Sequence, residues 1–181
     1  IWNNGQAGTQ LSITTQGFTG TNTYTITGIN TATGCQAQDA VQLTVNALPQ
    51  TTAGPDLTLC LGDSLLLNAT GAATYTWSNG AANGAYLTPS LGTLSLVVTG
   101  TNAAACSSVD TVLVVVNDLP ALTLAPQFEA CSNNLPILIS ANASNVSYAW
   151  STGVFSNAIE VSNPGVIDLT VTDLSTGCVN T

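Results

Sequence analysis

The chain has 181 residues with no Lys, Arg or His against nine Asp and Glu, which gives a formal net charge of −9 at pH 7. Because it has no cationic side chains, the chain cannot make the phosphate contacts that nucleic-acid binding requires, and it is not attracted to anionic lipid. No apolar run is long enough for membrane insertion. Nucleophiles that depend on histidine or lysine are excluded, as are ordinary zinc sites, so we expect a non-enzymatic protein without cofactor or metal.

One short phrase recurs along the chain, as IWNNG at 1–5, YTWSNG at 75–80 and YAWSTG at 148–153. Other markers recur at the same interval. The full set is Trp2, Trp77 and Trp150; Cys35, Cys106 and Cys178; Cys60 and Cys131; the Leu-Pro dipeptides at 48–49 and 119–120; and Pro55 and Pro126. Spacings of 71 to 75 residues in independent markers indicate an internal repeat.

The Leu-Pro dipeptides follow strand-like runs. Proline removes a hydrogen-bond donor that a sheet would need there, so we place repeat boundaries at Pro49 and Pro120. This predicts a partial repeat 1 (1–49) without its opening strands, a complete repeat 2 (50–120) and a repeat 3 (121–181) without its last strand. We expect a window on a longer array; strand exchange between subunits is the alternative.

Repeat 2 is a succession of short runs rich in Val, Leu and Thr, separated by turn sequences such as LGD and SNG. In chain order these runs are DLTLC, SLLLNAT, ATYTWS, AYLTPS, TLSLVVTG and VDTVLVVVN. Short strands at this spacing are typical of a sandwich or barrel. We therefore predict an all-β fold of tandem immunoglobulin-like β-sandwich repeats, each of about 71–73 residues.

The tryptophans are predicted to fill the cores of the repeats. In ATYTWS the two-residue period of a strand places Tyr75 and Trp77 on one face. One tryptophan per unit at a fixed strand position is typical of immunoglobulin-like sandwiches, so Trp2 and Trp150 receive the same role. The alternative is a row of exposed tryptophans that stack on sugars.

The five cysteines are predicted to form one disulfide within each repeat. Cys60 and Cys106 lie 46 positions apart and Cys131 and Cys178 lie 47 apart, so we predict these two bridges. The same offset puts the partner of Cys35 about eleven residues upstream of the sequence. Disulfides form in oxidising compartments, which predicts an extracellular or cell-surface location. Free structural thiols are the alternative.

The segments CLGDSLLLNATGAATYTWSNG and LVVTGTNAAACSSVDTVLVVVNDLP resemble the immunoglobulin-like (PKD-like) tandem modules of large surface proteins from Bacteroidota. The resemblance covers the whole chain, although repeat 3 departs at CSNN and keeps VTDLSTGC. It implies export by the gliding-associated, type IX route and a role in surface adhesins or filaments. It also implies O-glycan acceptors at D-[ST]-aliphatic, where Ser64 and Thr111 are the candidates.

An apolar patch is predicted on the outer face of repeat 2. The last strand of repeat 1 reads VQLTV and its counterpart reads VLVVV, so Leu113 and Val115 replace outward Gln and Thr. Val97 replaces an outward Thr on the neighbouring strand. Clustered outward apolar residues usually mark an interface, which predicts a lateral contact between chains. The alternatives are cover by a loop of the same repeat, or β-propensity alone.

These observations predict a non-catalytic structural or adhesive module of a large secreted adhesin or extracellular filament. Its expected partners are copies of itself or neighbouring repeats, with surface glycans as a further candidate. The alternative is a spacer or carbohydrate-binding module of a secreted polysaccharide-degrading enzyme. The ten aromatic residues of the chain are few for three sugar-binding surfaces, which favours the structural role.

Overall fold

In the computed structural model, residues 1–15, 17–124, 131 and 134–181 are described. Their regular elements are strands joined by turns, as the runs of β-branched residues predict. The prediction of an all-β, immunoglobulin-like sandwich architecture is confirmed.

Repeat 1 contributes one hairpin. Strands β1 (Gly20–Ile29) and β2 (Gln36–Val45) pair antiparallel along their whole length. A single bridge joins Trp2 to Ile26 and extends this sheet on one side.

Repeat 2 forms a two-layer sandwich. The larger sheet has the order β3-β8-β7-β5, in which β3 pairs parallel with β8 and the other pairs are antiparallel. The smaller sheet pairs β4 with β6. The strand bounds are β3 Leu57–Cys60, β4 Leu65–Leu66, β5 Thr74–Trp77, β6 Tyr86–Leu87, β7 Gly92–Thr101 and β8 Ser107–Asn117.

Repeat 3 follows the same plan in the residues that are described. One sheet has the order β10-β12-β13 and the other pairs β9 with β11, all antiparallel. The strand bounds are β9 Ile137–Ser140, β10 Val146–Trp150, β11 Ala158–Val161, β12 Leu169–Asp173 and β13 Val179–Asn180.

Each of the two sandwiches closes around a tryptophan. Trp77 is 2% exposed and Trp150 is 4% exposed, and the inward residues of the facing strands pack against them. A buried indole N–H needs an acceptor, and both have one. Trp77 Nε1 donates to Asn83 Oδ1 at 3.1 Å, and Trp150 Nε1 donates to the Ser156 carbonyl at 2.8 Å.

Trp2 does not occupy a closed core, which corrects its predicted role. It is half-buried, and its Nε1 atom has no hydrogen-bond partner among the described residues. The reason is that a two-stranded sheet buries its inner face only when a second layer covers it. The described part of repeat 1 has no such layer, and Val41 on β2 is 51% exposed.

Two glycines allow the first residues of repeat 2 to pack closely against its sandwich. A Cβ atom on Gly71 would lie 1.7 Å from the Gln50 carbonyl oxygen, and one on Gly100 would lie 2.1 Å from Thr51 Oγ1. Only glycine lets residues 50–51 approach the sandwich this closely.

We expect Gly71→Ala to destabilise repeat 2 more than Gly84→Ala. Both glycines have positive φ, +89° and +88°, so each substitution carries the left-handed penalty of about 1–2 kcal/mol. Only Gly71→Ala adds the clash with the Gln50 backbone, which should cost roughly 1–3 kcal/mol more. Urea unfolding followed by tryptophan fluorescence measures the difference, and equal stabilities would contradict the close approach.

Candidate functional site at the repeat junctions

Three cysteines occupy the same hairpin loop in the three repeats. The loops are Asn30–Cys35, Asn102–Cys106 and Asp173–Cys178, and each connects two antiparallel strands. In every loop the N–H of the first residue donates to the cysteine carbonyl, at 2.8, 3.0 and 2.9 Å in that order. We refer to these three as the late cysteines.

The other two cysteines share a different turn. The Asp63 N–H donates to the Cys60 carbonyl at 3.0 Å, and the Asn134 N–H donates to the Cys131 carbonyl at 2.8 Å. Cys60 ends β3, and its own N–H donates to Asp63 Oδ2 at 2.9 Å. We refer to Cys60 and Cys131 as the early cysteines.

The disulfide joins an early cysteine to the late cysteine of the following repeat. Cys60 is bonded to Cys178, with their Cα atoms 5.5 Å apart and a sequence separation of 118. Cys35, Cys106 and Cys131 are free. This corrects both predicted bridges, Cys60–Cys106 and Cys131–Cys178.

Strand register explains the correction. Cys60 pairs with Asn117 at the last position of β8, whereas Cys106 immediately precedes Ser107 at the first. Ten strand residues separate these ends, or roughly 33 Å. A disulfide requires Cα atoms within about 7 Å. Early and late cysteines of one sandwich therefore lie at opposite ends, and bonding becomes feasible only between successive repeats.

The two junctions use matching hydrogen bonds. Ser108, two residues after Cys106, donates from Oγ to the Pro49 carbonyl at 2.7 Å. Asn180, two residues after Cys178, donates from Nδ2 to the Pro120 carbonyl at 3.0 Å. The Leu-Pro dipeptides predicted as boundaries thus contact the late-cysteine hairpin of the repeat that follows them.

Further contacts fix the start of repeat 2 against its own sheet. Asp110 Oδ2 accepts from the Ala53 N–H at 2.8 Å. This bond is the main reason that the pKa of the Asp110 carboxyl lies below its usual value, with the Thr111 N–H as a second contributor. At the junction itself, Asn102 Nδ2 donates to the Ala47 carbonyl at 2.8 Å.

Asp173 organises the hairpin that carries Cys178. Its Oδ1 accepts from the Ser175 hydroxyl and N–H, each at 2.8 Å or less, and from the Thr176 N–H at 2.9 Å. The Ser175 hydroxyl is the largest cause of a pKa lowered to about 2 at Asp173. The matching residue in the other hairpins is asparagine, whose side-chain oxygen also accepts backbone N–H bonds.

The candidate glycan acceptors are exposed. Ser64 lies beside β4 and its Oγ is 2.6 Å from Thr88 Oγ1, while Thr111 lies on β8 with its side chain in solvent. Their modification stays a prediction.

The three residues of the predicted apolar patch lie on the outer face of the β7–β8 hairpin. Val97 is 36% exposed, Leu113 is 39% exposed and Val115 is half-buried. Val97 lies diagonally to Leu113, because it is paired with Thr111 and Leu113 with Ser95. Loops of repeat 2 leave Val97 and Leu113 open to solvent, so a contact with another chain is still a prediction.

The described residues show no cluster of metal ligands. No group of three or more His, Cys, Asp or Glu side chains among them could hold a metal ion. A helix long and apolar enough to cross a membrane is likewise not found among the described residues. The disulfide junction is therefore the feature of this part of the chain with the clearest chemistry.

No family model matches the sequence, and no curated protein matches it. Among solved structures the chain is similar to extracellular cadherin domains 1–4 of protocadherin gamma B7, at 15% identity and a TM-score of 0.29. The match covers 85% of this chain and 54% of that one, so this chain spans about half of its length. A likeness this low transfers no binding or assembly property.

We expect the purified chain to contain three reactive thiols when it is denatured without reductant. Five cysteines less the two of the Cys60–Cys178 bond leave three, whereas one bridge in each of repeats 2 and 3 would leave one. A colorimetric thiol titration in guanidinium measures this number. Cys60→Ser should raise this number to four, because Cys178 loses its partner and becomes a free thiol, while Cys106→Ser should lower it to two. One thiol in the unmodified chain would contradict the observed pairing.

We expect the hairpin that carries Cys178 to respond to pH only at strong acidity. The carboxylate of Asp173 is stabilised in the folded state, so its contribution is complete above the ordinary value of 3.8 and is lost as the pH falls through about 2. NMR shifts of the Ser175 and Thr176 amides should titrate with that low midpoint. Asp173→Asn should keep the hairpin, as in the other repeats, and abolish the titration. A midpoint near 3.8 would contradict the hydrogen-bonded carboxylate.

Proposed function

We propose that the chain is a structural segment of a secreted surface adhesin or extracellular filament, built from repeats 1–49, 50–120 and 121–181. The resemblance to Bacteroidota surface modules supports this role, and the succession of strands joined by turns is consistent with it. Gliding-associated, type IX secretion is the export route that the same resemblance suggests.

The observation that carries the proposal is the covalent bond between successive repeats. A stalk that works outside the cell must transmit tension without unravelling. The Cys60–Cys178 bond closes a loop with a sequence separation of 118 residues, so tension on the chain ends bypasses most of repeats 2 and 3. A disulfide also suits an oxidising, extracellular location.

The surface chemistry fits close packing of such stalks. The chain has only 5% charged residues, and Val97 and Leu113 present apolar side chains on the outer face of one sheet. Apolar clusters of this kind favour contact with another copy. A glycan on Ser64 would lie beside β4 of the other sheet and leave this face free, whereas one on Thr111, which is paired with Val97, would cover part of it.

The alternative is a spacer or carbohydrate-binding module of a polysaccharide-degrading enzyme. Sugar stacking needs exposed rings, and Trp77 and Trp150 are buried. Tyr86 and Phe155, at 77% and 79% exposed, are rings that could serve instead. Binding on a glycan array that is lost in Tyr86→Ala and Phe155→Ala would favour this alternative over the structural role.

We expect the oxidised chain to resist extension when it is pulled from its ends. Reduction should release the loop between Cys60 and Cys178 and lengthen the fully stretched chain by roughly 400 Å, at about 3.4 Å for each of 118 residues. Single-molecule force spectroscopy with and without reductant measures this length.

The double variant Cys60→Ser/Cys178→Ser should show the longer extension without reductant. Cys106→Ser is the matched control, because this thiol is free and its loss should leave the oxidised extension unchanged. If reduction left the length unchanged, repeats 2 and 3 would not be shielded from tension and the proposed mechanical role would be contradicted.

A further inference from the structure

Cys106, at the junction of repeats 1 and 2, has the same kind of surroundings as Cys178 at the junction of repeats 2 and 3. Both end a hairpin loop closed by the same backbone hydrogen bond, and both are followed two residues later by a donor to a Leu-Pro carbonyl. Cys106 Sγ lies 4.0 Å from the Asn46 carbonyl oxygen, so it faces the preceding repeat. Cys178 differs in having an early cysteine as its partner.

Cys131 matches Cys60 in the same way. It lies 71 residues further along the chain and starts the same turn, and its thiol is exposed. Within one sandwich the late cysteine is at the far end, and Cys178 is already bonded to Cys60. A partner for Cys131 must therefore come from outside repeats 2 and 3.

We propose that the Cys60–Cys178 bond is one member of a periodic series in which each early cysteine bonds the late cysteine of the following repeat. Cys131 then bonds a hairpin cysteine about 118 residues after it, and Cys106 bonds an early cysteine about 118 residues before it, both in the same polypeptide. This inference rests on the proposed function, because it requires further repeats in tandem. Cys35 takes its partner from one repeat earlier still.

The chemistry of each bond is ordinary thiol–disulfide exchange. A disulfide carried by an oxidoreductase or a small thiol compound accepts two electrons as its S–S bond breaks. The two cysteine thiols lose two protons, one S–S bond forms between them, and two reduced thiols leave. The exposed thiol of Cys131 and the half-buried thiol of Cys106 are the groups that would react.

Such a series has a mechanical consequence. The loop from Cys60 to Cys178 contains Cys131, so a loop that starts at Cys131 and runs downstream overlaps it by 47 residues. Overlapping closed loops leave no repeat in which tension can unfold a whole sandwich. Covalent shielding would then extend along the array instead of stopping at repeats 2 and 3.

Disulfide mapping of the full-length protein from its natural source tests the series. Thiols are alkylated during extraction at acidic pH, and the protein is digested with pepsin, because the segment has no site for trypsin. We expect the Cys131 peptide joined to a hairpin peptide of the next repeat, and the Cys106 peptide joined to an early-cysteine peptide of the preceding one. The alkylating label should be absent from both.

Alkylated Cys106 or Cys131 would overturn the series, and so would a bond between Cys60 and Cys106. A non-reducing gel distinguishes a partner cysteine in the same polypeptide from one in a second copy of the protein. Bonds to a second copy would give multimers that collapse on reduction, and this would contradict partners in the same polypeptide. Because the force measurement depends only on Cys60 and Cys178, the series can fail while the proposed mechanical role of repeats 2 and 3 stands.

Discussion

A chain without Lys, Arg or His gives its carboxylates no cationic side chain to pair with. Their donors are then backbone N–H groups and hydroxyls, which hold a carboxylate in place only where the backbone turns toward it. Six aspartates accept such backbone bonds. The pairs are Asp39 with Ala40, Asp56 with Leu113, Asp63 with Cys60, Asp110 with Ala53, Asp118 with Leu119, and Asp173 with Ser175 and Thr176. The few charges of this protein are therefore parts of its turns and junctions.

This constraint connects the charges to the cysteines. Asp63 holds the turn that presents Cys60, and Asp173 holds the hairpin that presents Cys178. Asn102 holds the hairpin that presents Cys106 in a similar way, because its amide oxygen accepts a hydrogen bond from the Cys106 N–H where Asp173 uses a carboxylate. Because the sandwiches are closed separately around Trp77 and Trp150, the strongest link between them is the disulfide. A load on the chain ends then crosses from Cys60 to Cys178 through the disulfide and bypasses the strands between these two residues.

The sequence was sufficient for the all-β architecture and for the strand that contains Trp77. Those features depend on local patterns: the two-residue period, β-branched runs and turn residues. The prediction that Trp2 fills a core was wrong, because burial depends on a covering layer and not on the strand motif itself.

The predicted disulfide pairing was also wrong. The observed spacing is one repeat longer than the predicted one, so a periodic sequence fits both pairings equally well. Only the parallel register of β3 with β8, which no local pattern specifies, separates Cys60 from Cys106. The contacts of Ser108 and Asn180 with the Leu-Pro carbonyls were missed for the same reason, although their common position two residues after a cysteine was visible.

The central claim is that successive repeats are covalently joined, and the most direct test is the identity of the peptide bonded to Cys60. A non-reduced pepsin digest of the 181-residue chain, analysed by tandem mass spectrometry, gives that identity. The structure predicts a species in which the Cys60 peptide is linked to the Cys178 peptide. A Cys60 peptide linked to the Cys106 peptide would contradict the account, because the bond would then lie within one repeat.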